Sequence, residues 1–196
     1  MIPSAVDYVC LMAYDFYGHW EGFTGHMTAL YAPDGAEGIH KTHNVNSAVT
    51  YWLDGGCPRD KLVLGLAAYG RSFTLEYESD TGLGALTRGP GAPGPQTGEA
   101  GTLAIYEICA AIRQGGEVVW LDQQKVPYFV RGNQWVAFDD LRSMDLKVKY
   151  IEENRLAGAM LWDATLDDFR GSNCQIGPFP LLTAINKAMR TKQGDI

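Results

Sequence analysis

The sequence predicts an α/β protein that contains part of a (β/α)8 barrel, interrupted by a small α+β insertion. Three nearly continuous apolar runs, at residues 8–14, 62–68 and 157–161, each end at an aromatic or charged side chain. Parallel strands that helices cover on both faces have this pattern, and functional sites collect at the carboxyl ends of such strands. A closed barrel needs about 250 residues. The chain has 196 residues, so we expect the three strands to form an open segment.

A long loop and one helix separate the first two predicted strands. The loop begins with the aromatic-rich residues 16–20 and continues as Gly- and Pro-containing coil to about Gly38, a length typical of functional or disordered loops. Residues 44–54 have apolar side chains at helical spacing, with Asn44 near the start and Gly55 at the end. This segment predicts the crossover helix that precedes the second strand.

The pattern changes after Arg71, where short alternating segments replace the long apolar runs. They predict an antiparallel sheet with one helix: a Gly- and Pro-rich tract at 89–94, a helix at about 103–112, and strands at 118–120, 126–130 and 135–138. Gly132 and Asn133 are typical of the hairpin turn between the last two strands.

We therefore predict three parts: a barrel segment over 1–70, an insertion domain over 71–138 and a second barrel segment over 139–196. The last part contains a helix capped at 139–140 that ends near Asn154, then the third apolar strand. An amphipathic helix over 180–189 follows it.

The charge of the chain limits its partners. A formal net charge of −7 and a pI near 5.0 argue against nucleic acid and against an anionic membrane surface, since both repel an acidic protein. A neutral ligand fits better. We expect no membrane span, because the sequence lacks a run of about 18 apolar residues. The first residues also lack the pattern of an export signal.

The cysteines and histidines have no metal-ligand spacing, so we expect no metal. We also expect no cofactor. Cys10, Cys57, Cys109 and Cys174 are too far apart for a Cys-x-x-Cys site. Either some of them pair in an oxidising compartment or all four are small core hydrophobes.

Five segments stand in a specific order and spacing. They are LMAYD at 11–15, YGRSF at 69–73, KVPY at 125–128, NQW at 133–135, and GAMLW at 158–162 followed by LDDF at 166–169. Together they resemble the C-terminal half of an animal-type chitinase of glycoside hydrolase family 18. By this resemblance the apolar runs are the sixth, seventh and eighth barrel strands, and the insertion is the family's chitinase insertion domain.

The resemblance implies a catalytic pair at the end of the first apolar run. Tyr14 donates a hydrogen bond to the carbonyl oxygen of the substrate's acetamido group, and Asp15 supports the charged intermediate. The alternative is a simple cap at a strand end. Met12, on the same strand face as Tyr14, lies beneath the sugar in the family, with core packing as a nearly equal interpretation.

The resemblance also implies five further substrate-binding residues. Trp162 forms the floor of the pocket, where its indole covers the apolar face of a pyranose ring. Trp20 stacks against sugars on the leaving-group side, unless it is a structural aromatic of the loop. Tyr69 and Arg71 hydrogen-bond to the sugar chain, although an isolated Arg is equally a surface ion-pair partner. Glu99 contacts the substrate from the insertion domain.

By the same resemblance, Cys109 and Cys174 form a disulfide, which implies an extracellular protein. Cys10, within a buried strand, and Cys57 are free thiols or pair differently. Asp163, directly after Trp162, departs from the family pattern, in which the acid stands later. We expect its charge to alter the edge of the pocket.

The family's D-x-x-D-x-D-x-E motif, whose Glu is the general acid, is absent from the 196 residues. Family 18 enzymes use the N-acetyl oxygen of the substrate itself as nucleophile, so one protein acid and groups that hold the acetamide suffice. We predict the C-terminal part of a chitinase that hydrolyses β-1,4-linked N-acetylglucosamine polymers by this retaining mechanism, with the chain itself inactive. The alternative is a non-catalytic chitinase-like lectin. Both bind chitin or chito-oligosaccharides, and their oligomeric state stays open. A third interpretation is a marginally stable chain with exposed sheet edges.

Overall fold

A three-stranded parallel sheet forms one half of the molecule. The computed structural model describes residues 4–190, so the predictions for 1–3 and 191–196 lie outside it. The sheet consists of β1 (Val9–Leu11), β2 (Leu62–Ala67) and β9 (Gly158–Trp162), with β2 in the centre. These strands are the three predicted apolar runs, and within the described residues they form no closed barrel.

Three helices pack against this sheet or one another: α1 (Val45–Asp54), α3 (Leu141–Glu153) and α4 (Pro180–Arg190). Asn44 caps α1 by accepting a hydrogen bond from the Ser47 backbone N–H at 2.9 Å, as its position predicts. Asp140 caps α3 in the same way through the backbone N–H of Ser143, at 2.7 Å. No helix within residues 4–190 has the length and apolar character that a membrane crossing requires.

The first apolar run is a shorter and less buried strand than predicted. Only Val9–Leu11 is extended and paired, and the Cys10 side chain is exposed, so the prediction that Cys10 lies within a buried strand is wrong. The physical reason is position: β1 is an edge strand of the described sheet, whereas the central β2 is flanked on both sides and nearly all buried.

A second sheet of six strands follows directly on the first, and its strand pairs are antiparallel. Its members are β3 (Tyr69–Leu75), β4 (Thr87–Pro90), β5 (Thr102–Ala104), β6 (Glu117–Leu121), β7 (Val126–Arg131) and β8 (Gln134–Ala137). The order is β4-β3-β8-β7-β6, and β5 pairs with β3. The turn between β7 and β8 consists of Gly132 and Asn133, as predicted, with Gly132 at φ 56°.

The helix of this half, α2 (Ile105–Arg113), begins later than the sequence pattern indicates. Leu103 is not helical, because it pairs with Gly70 in the short strand β5. A disulfide between Cys109 and Cys174 joins α2 to the loop after β9, whereas Cys10 and Cys57 are free.

The boundaries at 70 and 138 stay predictions. The larger buried hydrophobic cluster combines residues of both sheets, including Leu64 of β2 and Phe129 of β7. A smaller cluster contains the stacked rings of Tyr128 and Trp135, whose centroids are 4.7 Å apart.

Candidate functional site

Asp15 is the centre of a hydrogen-bonded network at the carboxyl end of the parallel sheet. Its Oδ1 accepts hydrogen bonds from Arg71 Nε at 2.7 Å and from the Tyr69 hydroxyl at 2.8 Å, and its Oδ2 accepts one from Arg71 Nη2 at 2.9 Å. Because β3 begins directly after β2, Tyr69 and Arg71 lie beside the end of β1. The ion-pair interpretation of Arg71 therefore describes this structure, with a bidentate geometry that isolated surface pairs rarely reach.

The backbone of Asp15 adopts a conformation that few residues other than glycine occupy. Its φ is 61°, which costs on the order of 1–3 kcal/mol outside glycine. The three hydrogen bonds to the carboxylate offset this cost. Strain of this kind clusters at functional sites, where neighbouring structure determines one side-chain direction.

The Tyr14 hydroxyl is buried beside this network and has no hydrogen-bond partner among residues 4–190. Its ring makes an edge contact with Tyr69, with centroids 6.1 Å apart. Burial, and secondarily the charge of Asp15, raises the pKa of Tyr14. At neutral pH the phenol thus keeps its proton and is a donor without an acceptor. Gly65 leaves room for the Leu11 carbonyl and for the Tyr14 ring, since a β-carbon there would lie 2.4 Å from the Leu11 oxygen and 3.0 Å from Tyr14 Cε1.

Two indole side chains of half-exposed residues lie near the same sheet end. Trp162 is the last residue of β9 and is 53% exposed; its carbonyl accepts a hydrogen bond from Ala68 N–H at 2.8 Å, and its peptide bond to Asp163 is cis. Trp20 is also 53% exposed, and the Arg71 guanidinium carbon lies 5.5 Å from its ring centroid. An exposed indole face is suited to the apolar face of a sugar ring.

Glu99 joins the network through a residue that sequence reasoning missed. Thr102 Oγ1 accepts a hydrogen bond from Arg71 Nη1 at 2.7 Å and donates one to Glu99 Oε1 at 3.2 Å. No sequence pattern marks Thr102, because its role depends on the pairing of β5 with β3. The structure thus connects Asp15, Arg71 and Glu99 in one chain of hydrogen bonds.

Met12 and Trp162 lie outside this network. Met12 is 69% exposed, so the core-packing interpretation is wrong for the described structure. The carboxylate of Asp163 is engaged locally, where it accepts hydrogen bonds from the backbone N–H and the hydroxyl of Thr165. Its charge is thereby held in a turn beside Trp162.

The two carboxylates of the LDDF segment at 166–169 bind backbone N–H groups of the chain that follows β9. Asp167 accepts hydrogen bonds from the backbone N–H groups of Leu181 and Leu182 at the start of α4, and burial raises its pKa. Asp168 accepts from the N–H groups of Asn173 and Cys174. Both are buried, so this part of the motif fixes the loop after β9.

A family model described as glycosyl hydrolases family 18 matches residues 1–167. The chain belongs to glycosyl hydrolase family 18. Mouse chitotriosidase-1 is 46% identical to this family 18 chain over 188 residues, an alignment that covers 96% of the chain and 40% of the mouse protein. Human chitinase-3-like protein 2 is 42% identical and is covered to 48% of its length, with 96% of this chain aligned.

Solved structures of family members have the same fold. Human YKL-39, described as a pseudo-chitinase with retained chitooligosaccharide binding, superposes with a TM-score of 0.93 at 42% identity, covering 96% of this chain and 52% of that one. The Group IV chitinase of Ostrinia furnacalis in complex with allosamidin gives 0.92 at 39% identity, covering 97% and 52%. The family 18 chain thus spans about half or less of the length of these relatives. The predicted fold class, a partial (β/α)8 barrel with an α+β insertion, is confirmed.

Proposed function

We propose that this chain is the C-terminal part of a secreted chitinase and that it holds the N-acetylated sugar at the reacting end of a β-1,4-linked N-acetylglucosamine chain. The observation that carries the proposal is the arrangement around Asp15. Three donated hydrogen bonds fix its carboxylate, and the buried Tyr14 hydroxyl beside it has no hydrogen-bond partner within residues 4–190. The relatives, which include chitinases and a pseudo-chitinase, support the same substrate class.

The chemistry assigned to this pair is substrate assistance. The Tyr14 hydroxyl donates to the acetamide oxygen and directs it at the anomeric carbon. A carboxylate oxygen accepts two hydrogen bonds, and Asp15 Oδ2 accepts one from the described residues, from Arg71. The second lone pair of Oδ2 accepts the acetamide N–H and stabilises the positive charge that develops on the acetamide.

The remaining contacts position the sugar chain. Trp162 and Met12 lie beneath the reacting sugar, and Trp20 stacks against sugars on the leaving-group side. Tyr69 and Arg71 keep Asp15 in place and face the sugar chain, and Glu99 contacts it from the insertion. We place the protein outside the cell, because the Cys109–Cys174 disulfide suits an oxidising compartment.

Binding and hydrolysis are tested separately. Titration calorimetry with N-acetylchitotetraose should show binding to the 196-residue chain, and Asp15→Asn should weaken it about tenfold or more because it removes a charged acceptor. The matched control is Asp54→Asn, an exposed carboxylate on α1. Equal affinities for both variants, or no binding by the wild-type chain, would contradict the proposal.

The same chain should not release fluorophore from a fluorogenic chitobioside, because these 196 residues lack the general acid of the D-x-x-D-x-D-x-E motif. Measurable hydrolysis by the pure chain that Asp15→Asn abolishes would overturn this part of the proposal.

A chitin-binding lectin is the alternative, and the similarity to human YKL-39 favours it. Both functions need the same groove, since a groove that binds the substrate serves catalysis and recognition alike. Reading the messenger RNA to its 5′ end distinguishes them. An upstream D-x-x-D-x-D-x-E indicates the chitinase, and the same segment with its Glu replaced indicates the lectin.

A further inference from the structure

Thr102 lies opposite Arg71 in the antiparallel pair of β5 and β3. It is 8% exposed, and its hydroxyl is placed between two charged side chains. A hydroxyl has one donor and two acceptor sites, so it can accept from Arg71 Nη1 and donate to Glu99 Oε1 at the same time. The distances, 2.7 Å and 3.2 Å, show both hydrogen bonds.

The hydrogen bond from Arg71 Nη1 to Thr102 fixes the third donor of the planar Arg71 guanidinium. The other two donors in use, Nε and Nη2, bind the two oxygens of Asp15. A guanidinium held on one edge by a carboxylate still has freedom to rock out of that plane. The Thr102 hydroxyl holds the opposite edge, so it restricts the fork geometry that keeps Asp15 in its strained conformation.

Glu99 stands on a loop whose base is anchored independently. The buried Glu107 carboxylate accepts hydrogen bonds from the backbone N–H groups of Gln96 and Thr97 and from the Thr97 hydroxyl. Glu99 itself is exposed, and its charge is among those that raise the pKa of Arg71, after the larger effect of Asp15. A change in the hydrogen bonds of Glu99 can therefore affect Asp15 through Thr102 and Arg71, while the base of the loop stays in place.

We propose that Thr102 is a positioning residue that couples the insertion-domain carboxylate Glu99 to Asp15 through Arg71. A sugar hydroxyl that replaces the Thr102 hydroxyl on Glu99 Oε1 leaves Thr102 without this acceptor and thereby changes how Arg71 holds Asp15. A sugar bound at Glu99, on the insertion side of the groove, therefore affects the Asp15 carboxylate that binds the acetamide. The proposal depends on the proposed function for its ligand, while its hydrogen bonds are testable without one.

The binding test compares two substitutions at one position. Thr102→Val keeps the shape and removes the hydroxyl, whereas Thr102→Ser keeps the hydroxyl. Calorimetry of the 196-residue chain with N-acetylchitotetraose should give about tenfold weaker binding for the valine variant, the size of one charge-assisted hydrogen bond. The serine variant should stay within about twofold of wild type. A serine variant as weak as the valine variant would overturn the proposal, because packing alone would then explain the loss.

The second readout needs no sugar. In ¹⁵N-edited NMR, hindered rotation of a bound guanidinium gives Arg71 separate, narrow Nη signals, assigned by their loss in Arg71→Lys. Glu99→Gln should shift the Arg71 Nη1 signal more in wild type than in the Thr102→Val background, where only the direct effect of the Glu99 charge on Arg71 remains. Identical shifts in both backgrounds would overturn the coupling. If wild type binds no sugar but these signals respond as stated, the proposed function fails and the coupling stands.

Discussion

The indole of Trp20 lies directly over Gly18. A β-carbon built on Gly18 would be 2.2 Å from ring atoms of Trp20, far inside van der Waals contact. Gly18 has extended backbone angles, φ −155° and ψ 179°, which any residue adopts. The ring alone therefore excludes a side chain at this position, and the absence of one lets Trp20 lie against residue 18 with the Arg71 guanidinium carbon over its ring.

We expect Gly18→Ala to rotate the Trp20 indole away and to weaken binding of N-acetylchitotetraose about threefold to tenfold, because stacking contacts depend on ring orientation. Gly82→Ala is the matched control, since a β-carbon there has nothing within 4 Å and no positive φ. Calorimetry and Trp fluorescence measure both. Unchanged affinity in Gly18→Ala would show that Trp20 does not contact the sugar.

Trp162 should contribute to binding and little to stability. Its side chain is half exposed and its hydrogen bond to Ala68 uses the backbone, so Trp162→Ala should leave the unfolding temperature nearly unchanged. Affinity for N-acetylchitotetraose should fall about tenfold or more, as when a central aromatic contact is truncated. Tyr51→Ala, which removes a 79% exposed aromatic on α1, should leave affinity unaltered. Similar affinity losses for both would remove Trp162 from the site.

The Cys109–Cys174 disulfide should stabilise the fold strongly. It closes a loop with a sequence separation of 65, for which the chain-entropy model predicts about 4 kcal/mol. Urea unfolding with and without a phosphine reductant measures the difference. The control is Cys10→Ser at an exposed free thiol, which should be neutral.

In native protein a thiol reagent should label Cys10 rapidly and the buried Cys57 slowly; equal rates would contradict the packing around Cys57.

We expect His26 to make the fold sensitive to mild acid. It is fully buried, with Nε2 donating to the Pro127 carbonyl at 2.8 Å and Nδ1 accepting from the Thr28 N–H at 3.2 Å. Burial lowers the pKa of His26 to about 4, against a partial opposing attraction from Asp139; the charge of Lys147 also lowers it. A second proton, on Nδ1, would point at the Thr28 N–H, and the charged imidazolium would be buried away from water. The folded state therefore prefers the neutral imidazole.

The stabilisation linked to His26 is present above the unfolded pKa of about 6.5 and is lost as pH falls toward 4, since the unfolded state then binds more protons. The full loss is about 3 kcal/mol. His26→Gln offers one donor and one acceptor without titrating, and should flatten this part of the pH dependence. Urea midpoints at pH 7, 5.5 and 4.5 measure it. Parallel curves for the variant and wild type would refute the assignment.

Local signals in the sequence predicted most elements well. Asn44 and Asp140 cap the helices they precede, and Gly132 with Asn133 forms the hairpin turn. These features depend on residues a few positions apart, so pattern and backbone chemistry suffice. The three apolar runs predicted the parallel strands for the same reason, because burial on both faces leaves a mark in composition.

The prediction failed where neighbours in space decide. Cys10 lies in an apolar run, yet its side chain is exposed because β1 is an edge strand of the described sheet. The residues of β1 themselves do not reveal that edge position. Leu103 belongs to a strand because Gly70 lies opposite, which overrides the helical spacing around it. Burial and pairing are properties of the contact partner as much as of the residue.

The sequence by itself determined the fold class and the family. It also singled out five residues, because each stands in a motif or at a strand end: Tyr14, Asp15, Tyr69, Arg71 and Trp162. Only the tertiary structure decided how they act on one another. Arg71 binds Asp15 across 56 residues, and Thr102 links Arg71 to Glu99. Hydrogen bonds require matched distance and direction, and these are set when separate segments pack together.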